Sequence, residues 1–443
     1  MTDIIEKLEN KQFQEVKKEL ETLNIPDIAG MFEKLEDKSQ IILLFKLLSK
    51  DDAADVFSFL DPEFQETIIN ALQDKEIESI MEEMYMDDAT DFVKEMPANV
   101  VKRVLKNTPK ENRDTINKLL TYPENSAGSL MTTEFIDIKE DLTVDQAFAK
   151  IKQKADDAET IGTIYVTDSR RKIQGVVSIK DLILADREQK ISDIMNTNVI
   201  CACTSTDQEE VSKMFDKYDF YALPVIDTEQ RLVGIITIDD IMDVVKEETT
   251  EDMEIMAAVS PMEDSYLKTK PIVHFKKRII WLLILTLSAS VTGAIISHFE
   301  ALFVTVPALV SFIPMLMDTG GNCGSQASVL IIRSLALGEI TPKDYLKIVL
   351  KESCIASMCG AVLSVVNFFV AWWRTGSALV GLVIALTLII VVFTAKIIGG
   401  SLPILAKKCK LDPAVMASPM ITTLVDCIAI ISYFLIASAI LGL

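Results

Sequence analysis

The sequence predicts a multidomain protein: an all-α N-terminal domain of stacked helices, a tandem α/β pair, a long acidic helix and an all-α membrane domain with five transmembrane helices. Three observations support this. The 443 residues are roughly three times a typical domain, and charge divides them. From Lys276 onward there are 12 Lys and Arg against 7 Asp and Glu, which leaves 32 against 58 of the chain's 44 and 65 in the part before, or −26 followed by +5. The second part contains five long runs with at most one charge each, and the first contains two internal duplications. The expected divisions are 1–128, 129–244, 245–270 and 271–443.

Met1 to about Thr121 places apolar residues at helical spacing with few strand runs. Asp27-Ile28-Ala29, Asp52-Ala53-Ala54 and Asp88-Ala89-Thr90 each begin a helix expected to end near Leu35, Leu60 and Met96, and Asp61-Pro62 and Met96-Pro97 supply breaks. The repetition points to stacked helical hairpins. Met1 to Asn10 holds Asp3, Glu6 and Glu9 and reads as no secretory leader, so this body is expected in the cytosol. Its acidity disfavours nucleic acid, whose phosphates need Lys and Arg, and suits cations. Acids cluster at Asp51, Asp52 and Asp55 and at Asp87, Asp88 and Asp91. The macrodipole favours such residues at helix starts; they are also candidate metal ligands. The seven cysteines form no CxxC or histidine-paired array, which suits small apolar residues in a reducing compartment.

The second duplication aligns Ile173 to Asp181 with Leu232 to Asp240 at a constant offset of 59. Short β runs such as Ile161 to Thr167 and Ala222 to Ile226 alternate with helical stretches. This pair resembles tandem CBS domains, a Bateman module. In that family the Ser/Thr and Asp of the strand-to-helix turn, here Ser178 with Asp181 and Thr237 with Asp240, often hold a ribose, since a carboxylate accepts both hydroxyls of a diol. A helix cap needs the same residues. From Asp239 to Asp264 ten acids accompany a single Lys246, whereas a solvated helix normally mixes signs.

In the second half, Ile279 to Phe299, Ser353 to Trp373 and Thr375 to Ala395 are uncharged, while Ala301 to Ile332 and Pro413 to Leu443 carry one charge each, Asp318 and Asp426. About 20 apolar residues cross the hydrocarbon, giving five spans. The Lys and Arg of the short loops place the start of the first span and both Lys-rich loops inside. Asp426 falls near the midplane if its helix enters near Val415, and Ser418, Thr422 and Asp426 share one face at spacings of four. An ionisable group at that depth is usually kept for a pathway, and no Lys or Arg lies well inside any span to neutralise it. Pro314 followed by Asp318 to Gln326, rich in glycine, points either to irregular backbone lining a path or to a close helix crossing through small residues.

Together these features resemble the MgtE family of magnesium transport proteins over essentially the whole chain. The motifs are Tyr122-Pro123-Glu124-Asn125-Ser126-Ala127-Gly128, Gly320-Gly321-Asn322 with Gly324 and Gln326, and Asp412-Pro413-Ala414 with Pro419, Thr423 and Asp426. Ser418 stands where that family often has Asn or Gly, and Ala429 where Gly often follows the pore Asp. The resemblance implies a superhelical N domain, a homodimer with the ion path between subunits, a cation site at Asp426 with Asp412 in the same motif, and a plug helix at about Val245 to Tyr266. It also implies a multi-pass protein of the cell membrane whose cytosolic acids, Asp239, Asp240, Asp243, Glu248, Glu251 and Asp252 with those of the helical domain, bind Mg²⁺ and keep the path closed. Mg²⁺ holds several of its waters, so one or two carboxylates with hydroxyls suit it. The expected function is therefore Mg²⁺-selective transport with Mg²⁺ and an adenine nucleotide as ligands; the alternative is a nucleotide-regulated carrier of another divalent cation or a small solute. No enzyme is expected: with only His274 and His298 and no HExxH, a histidine-based zinc centre lacks ligands.

Overall fold

The computed structural model describes residues 2–35, 37–262, 266–267, 269–299, 304–416 and 418–442. It divides into two compact units, Met1–Val245 and Lys246–Leu443.

The first unit begins with short helices. Eight to ten residues are too few to hold a helix in water alone, so these persist by stacking. Ile25–Phe32 packs on Lys50–Ser58, that on Asp74–Glu83, and that on Ala98–Asn107; Lys38–Phe45 packs on Pro62–Ala71, and Met86–Glu95 on Lys110–Leu119. The three repeat copies lie on Ile25–Phe32, Lys50–Ser58 and Met86–Glu95, each helix starting two residues before the Asp that marks it. Caps fix the starts: Ser49 Oγ accepts the Asp52 amide at 3.1 Å and Asp37 accepts that of Ser39 at 2.9 Å. Phe32 and Phe57 are fully buried, and Phe57 meets Phe92 edge-on at 5.0 Å.

Two small sheets follow. In the first, β1 (Asp137–Ile138) runs parallel to β2 (Thr163–Thr167), which pairs antiparallel with β3 (Ile173–Ser178); β4 (Ala202–Cys203), β5 (Ala222–Ile226) and β6 (Leu232–Thr237) repeat the pattern. Val166 faces Gly175 and Val225 faces Gly234, with a bulge one residue on in both, so the offset of 59 read from sequence is kept in the pairing. Both glycines sit under a methionine: a Cβ at Gly175 would lie 2.8 Å from Met195 Sδ, and one at Gly234 2.6 Å from Met131 Sδ.

A 19-residue helix, Ile238–Met256, continues from β6. The acidic segment expected as a plug through residue 270 is therefore helical only to Met256, after which Ala258 turns the chain at φ 56° and Pro261 follows. Glu254 accepts the Met262 amide at 2.8 Å, and Lys277 Nζ donates to the Pro261 carbonyl at 2.6 Å, which folds this end back. Glu263 and Asp264 of the stretch lie outside the described residues.

The second unit packs the helices Pro271–His298, Ile313–Ala336, Tyr345–Thr375, Ala378–Lys408 and Ser418–Leu441. Among the described residues four are long and apolar enough to cross a membrane, not the five expected; Ile313–Ala336, 24 residues long, falls short in apolarity because of its Asp318 to Gln326 stretch. Ala301 to Phe303 of that expected span lie outside the described residues. Its glycines do not unwind it. The backbone is helical from Ile313, just before Pro314, to Ala336, and the glycines serve a close crossing instead. A Cβ at Gly320 would lie 2.7 Å from Val391 and Val425, one at Gly324 2.6 Å from Ile421, and one at Gly399 would collide with the Gly324 carbonyl. Ala378–Lys408 is the most buried helix, flanked by Ile313–Ala336, Tyr345–Thr375 and Ser418–Leu441.

We expect Gly399→Val to lower the unfolding temperature of the detergent-solubilised protein by more than an ordinary overpacked site, which costs about 1–3 kcal/mol, because backbone rather than a side chain must move. Thermal unfolding read by intrinsic fluorescence checks this; an unchanged midpoint would mean that the two helices separate freely.

Charge inside this unit corrects the sequence reading. Lys396, which follows the uncharged run Thr375 to Ala395 and counts among the Lys of the loop expected inside, is only 5% exposed within its 31-residue helix, and Glu352 on the neighbouring helix is 7% exposed, its Oε2 without a hydrogen-bond partner. The helix simply runs past the uncharged run. Among the described residues no ion pair joins Lys396 to Asp426.

Candidate functional site

Asp426 lies nine residues into Ser418–Leu441, about 12 Å along the helix from Ser418. It borders a cavity of about 260 Å³ together with Thr292, Gly293, Met317 and Thr423. Asp318 is the charged group whose field reaches it. The stripe read from sequence is only partly assembled. Thr422 donates to the Pro419 carbonyl at 3.0 Å and packs where a Gly321 Cβ would stand, while the side chain of Ser418 lies outside the described residues. Thr423, one residue on, joins Asp426 at the cavity instead. Asp412 is exposed and accepts the Ala414 amide at 2.8 Å, capping the turn Pro413–Met416.

A second acidic site lies within the first unit. Asp87 and Asp88 open the helix Met86–Glu95, Asp239 and Asp240 open Ile238–Met256, and Glu159 stands before β2. Glu134 ties these together, accepting the Met86 amide at 3.4 Å and the Thr132 hydroxyl at 2.5 Å. Asp87 is 9% exposed, and Glu159 Oε2 is buried without a partner. Burial, then the charge of Asp240, holds Asp87 well above the usual carboxylate range. Burial and Asp91 push Asp88 up to about 6. Burial takes Asp240 to about 7, with Asp239 and Asp88 adding to it against the Thr237 hydrogen bond, and burial with Asp240 takes Glu159 to about 8. These carboxyls want protons or a cation. As placed, among the described residues no three acidic, His or Cys side chains enclose a metal position.

Asp91, whose charge acts on Asp88, forms an ion pair with Lys94 at 2.6 Å. Asp243 and Glu251 are exposed along Ile238–Met256, and Glu248 and Asp252 are half-buried. Glu134 and Glu159, the residues sequence reasoning missed, carry no local signal beyond the acids Asp156 and Asp157 near Glu159; only folding brings them to Asp240.

The two strand-to-helix turns match. Ser178 donates to Asp181 Oδ2 at 2.6 Å and accepts the Asp181 amide at 3.1 Å; Thr237 donates to Asp240 Oδ2 at 2.8 Å. Both hydroxyls thus hold a carboxylate at the helix start, the capping arrangement, and each carboxylate keeps an oxygen for a diol. Their surroundings differ: Asp181 is exposed, whereas Asp240 is drawn into the acidic knot.

Known proteins with these features agree among themselves. Family profiles match the MgtE divalent cation transporter domain at 313–436, the MgtE intracellular N domain at 23–125, and CBS domains at 127–188 and 191–247. The magnesium transporter MgtE of Thermus thermophilus is 35% identical over 440 residues, 98% of this chain and 97% of that one. The chain belongs to the MgtE family. A second MgtE, from Bacillus subtilis, is 34% identical over 436 residues, covering 98% of this chain and 96% of its own. A solved structure of the cytosolic domain of the Mg²⁺ channel MgtE in complex with ATP is 36% identical, with a TM-score of 0.52, and covers 54% of this chain and 98% of that one.

Proposed function

We propose that this protein conducts Mg²⁺ across the cell membrane as a homodimer, with Asp426 at the ion path, and that Mg²⁺ held by its cytosolic acids closes that path. The observation that supports this most is the carboxylate of Asp426 beside a partly open cavity in the apolar unit, in a chain whose relatives over nearly its whole length are magnesium transporters. The Ile313–Ala336 helix acts as a fifth crossing, its polar stretch turned to protein and water rather than lipid. Two unit charges about 4 Å apart repel by about 4 kcal/mol at an effective dielectric of 20, so the knot of Asp87, Asp88, Glu159, Asp239 and Asp240 stays closed best around a cation. Asp243, Glu248, Glu251 and Asp252 extend the same ion sensing along the helix. The dimer is favoured by apolar side chains left open on the first unit, Leu184, Tyr221 and Met242 among them. The test is Mg²⁺ uptake by liposomes carrying the full chain against empty ones; equal uptake overturns the transport reading.

A solved relative of the cytosolic domain is in complex with ATP; in this chain an adenine nucleotide belongs at Asp181 and Ser178 rather than at Thr237 and Asp240, because the carboxylates around Asp240 repel phosphates. We expect Asp181→Ala to weaken ATP binding at least about tenfold, the loss of about 1.4 kcal/mol, and Asp240→Ala to leave it within about threefold while reducing Mg²⁺ binding. Calorimetric titration of the purified protein with ATP checks this.

A further inference from the structure

We propose that Thr292 of the first membrane helix sets cation selectivity at Asp426 through the cavity that its helix walls; this rests on the reading of Asp426 as the cation site. The helix Pro271–His298 is exposed or half-buried along its length except at Thr292, 4% exposed, its one buried residue among those described. Its Oγ1 lies 3.5 Å from the sulfur of Cys427, the residue after Asp426, in a hydrogen bond that either atom can donate. Thr292 thus touches the chain next to the carboxylate while lining the same cavity of about 260 Å³, with Thr423 also lining it.

An octahedral shell of six waters at about 30 Å³ each occupies about 180 Å³, so a hydrated Mg²⁺ fits this space. The hydroxyls of Thr292 and Thr423 are then partners for its waters. Mg²⁺ gives up water reluctantly whereas Ca²⁺ accepts looser, variable coordination, so a wall that hydrogen-bonds to retained waters favours Mg²⁺. Gly293 borders the same cavity, and a Cβ there would meet nothing within 4 Å, so a larger side chain at this position has open space to enter. The first helix therefore does more than connect the membrane unit to the segment before it.

The test measures Mg²⁺ and Ca²⁺ uptake by liposomes carrying full-length variants at equal content. Thr292→Val, which keeps the shape and removes the hydroxyl, should lower the ratio of Mg²⁺ to Ca²⁺ uptake by about three- to tenfold, the effect of one hydrogen bond. Thr292→Ser should restore the ratio. Gly293→Leu should cut both fluxes at least about tenfold by filling the cavity, while Val291→Leu, on the exposed face, should change neither. If Thr292→Val slows both ions equally with the ratio intact, Thr292 is a packing residue and the proposal is overturned. A wild-type ratio in Thr292→Val together with loss of flux in Asp426→Ala overturns the proposal alone; wild-type flux in Asp426→Ala overturns the reading of the path beneath it.

Discussion

Asp426→Ala is expected to reduce Mg²⁺ flux by at least about a hundredfold while leaving the protein folded. A carboxylate and a divalent ion about 5 Å apart attract by about 7 kcal/mol at an effective dielectric of 20, and a fifth of that already changes occupancy about tenfold. Asp426 makes no hydrogen bond or ion pair among the described residues, so its removal breaks no contact that holds the helices. Asp426→Asn should fall close to Asp426→Ala, since charge rather than shape is lost. Flux at equal membrane content, with size-exclusion profiles of both variants, checks it. Wild-type rates would remove Asp426 from the path.

Mg²⁺ should stabilise the cytosolic unit most above neutral pH. Asp87, Asp88, Asp240 and Glu159 bind protons more tightly when folded than as free carboxyls near 4, chiefly because they are buried. Their contribution to metal-free stability is then full below about pH 4 and lost as pH climbs through the raised folded values, about 6 for Asp88, about 7 for Asp240 and about 8 for Glu159. A cation replaces those protons, and binding it releases them. Thermal unfolding without metal should therefore occur at lower temperature at pH 8 than at pH 5.5. About 10 mM Mg²⁺ should raise the midpoint strongly at pH 8 and little at pH 5.5. Replacing Asp87 and Asp240 by Asn and Glu159 by Gln together should raise metal-free stability at pH 8 and remove most of the Mg²⁺ response. A Mg²⁺ shift of equal size at both pH values, or one retained in the triple variant, would place the sensing ions elsewhere. Substituting Asp243, Glu248, Glu251 and Asp252 by Ala should instead shift closure to higher Mg²⁺.

Much of this architecture is legible because duplicated elements must bury the same faces. Strand pairings keep the offset of 59 because a shift of a single residue would turn every apolar side chain outward, and the Asp-led helices repeat because each stacks on a like neighbour. Asp426 is legible for a different reason: a single charge in a long apolar run is costly and conspicuous. What sequence hides is the partner. Whether Gly320 and Gly324 unwind a helix or let another approach depends on Val391, Val425 and Gly399, far along the chain. Glu159 reads as one acid among many until folding brings it to Asp240. Lys396 looks like a loop cation because the uncharged run stops there, whereas the helix continues to Lys408. The acidic segment reads as one long helix because charge alone does not mark its end at Met256.

The central claim is that one ion is both cargo and signal. It is tested most directly by Mg²⁺ flux through the full-length protein in liposomes while internal Mg²⁺ is raised from near zero to about 10 mM, spanning occupancy of the cytosolic sites. The account predicts fast flux at low internal Mg²⁺, steep and reversible suppression as it rises, and loss of suppression in the Asp87, Asp240 and Glu159 triple variant, because differential ion binding sets the favoured state. Flux that ignores internal Mg²⁺, or suppression that survives in the triple variant, would contradict it.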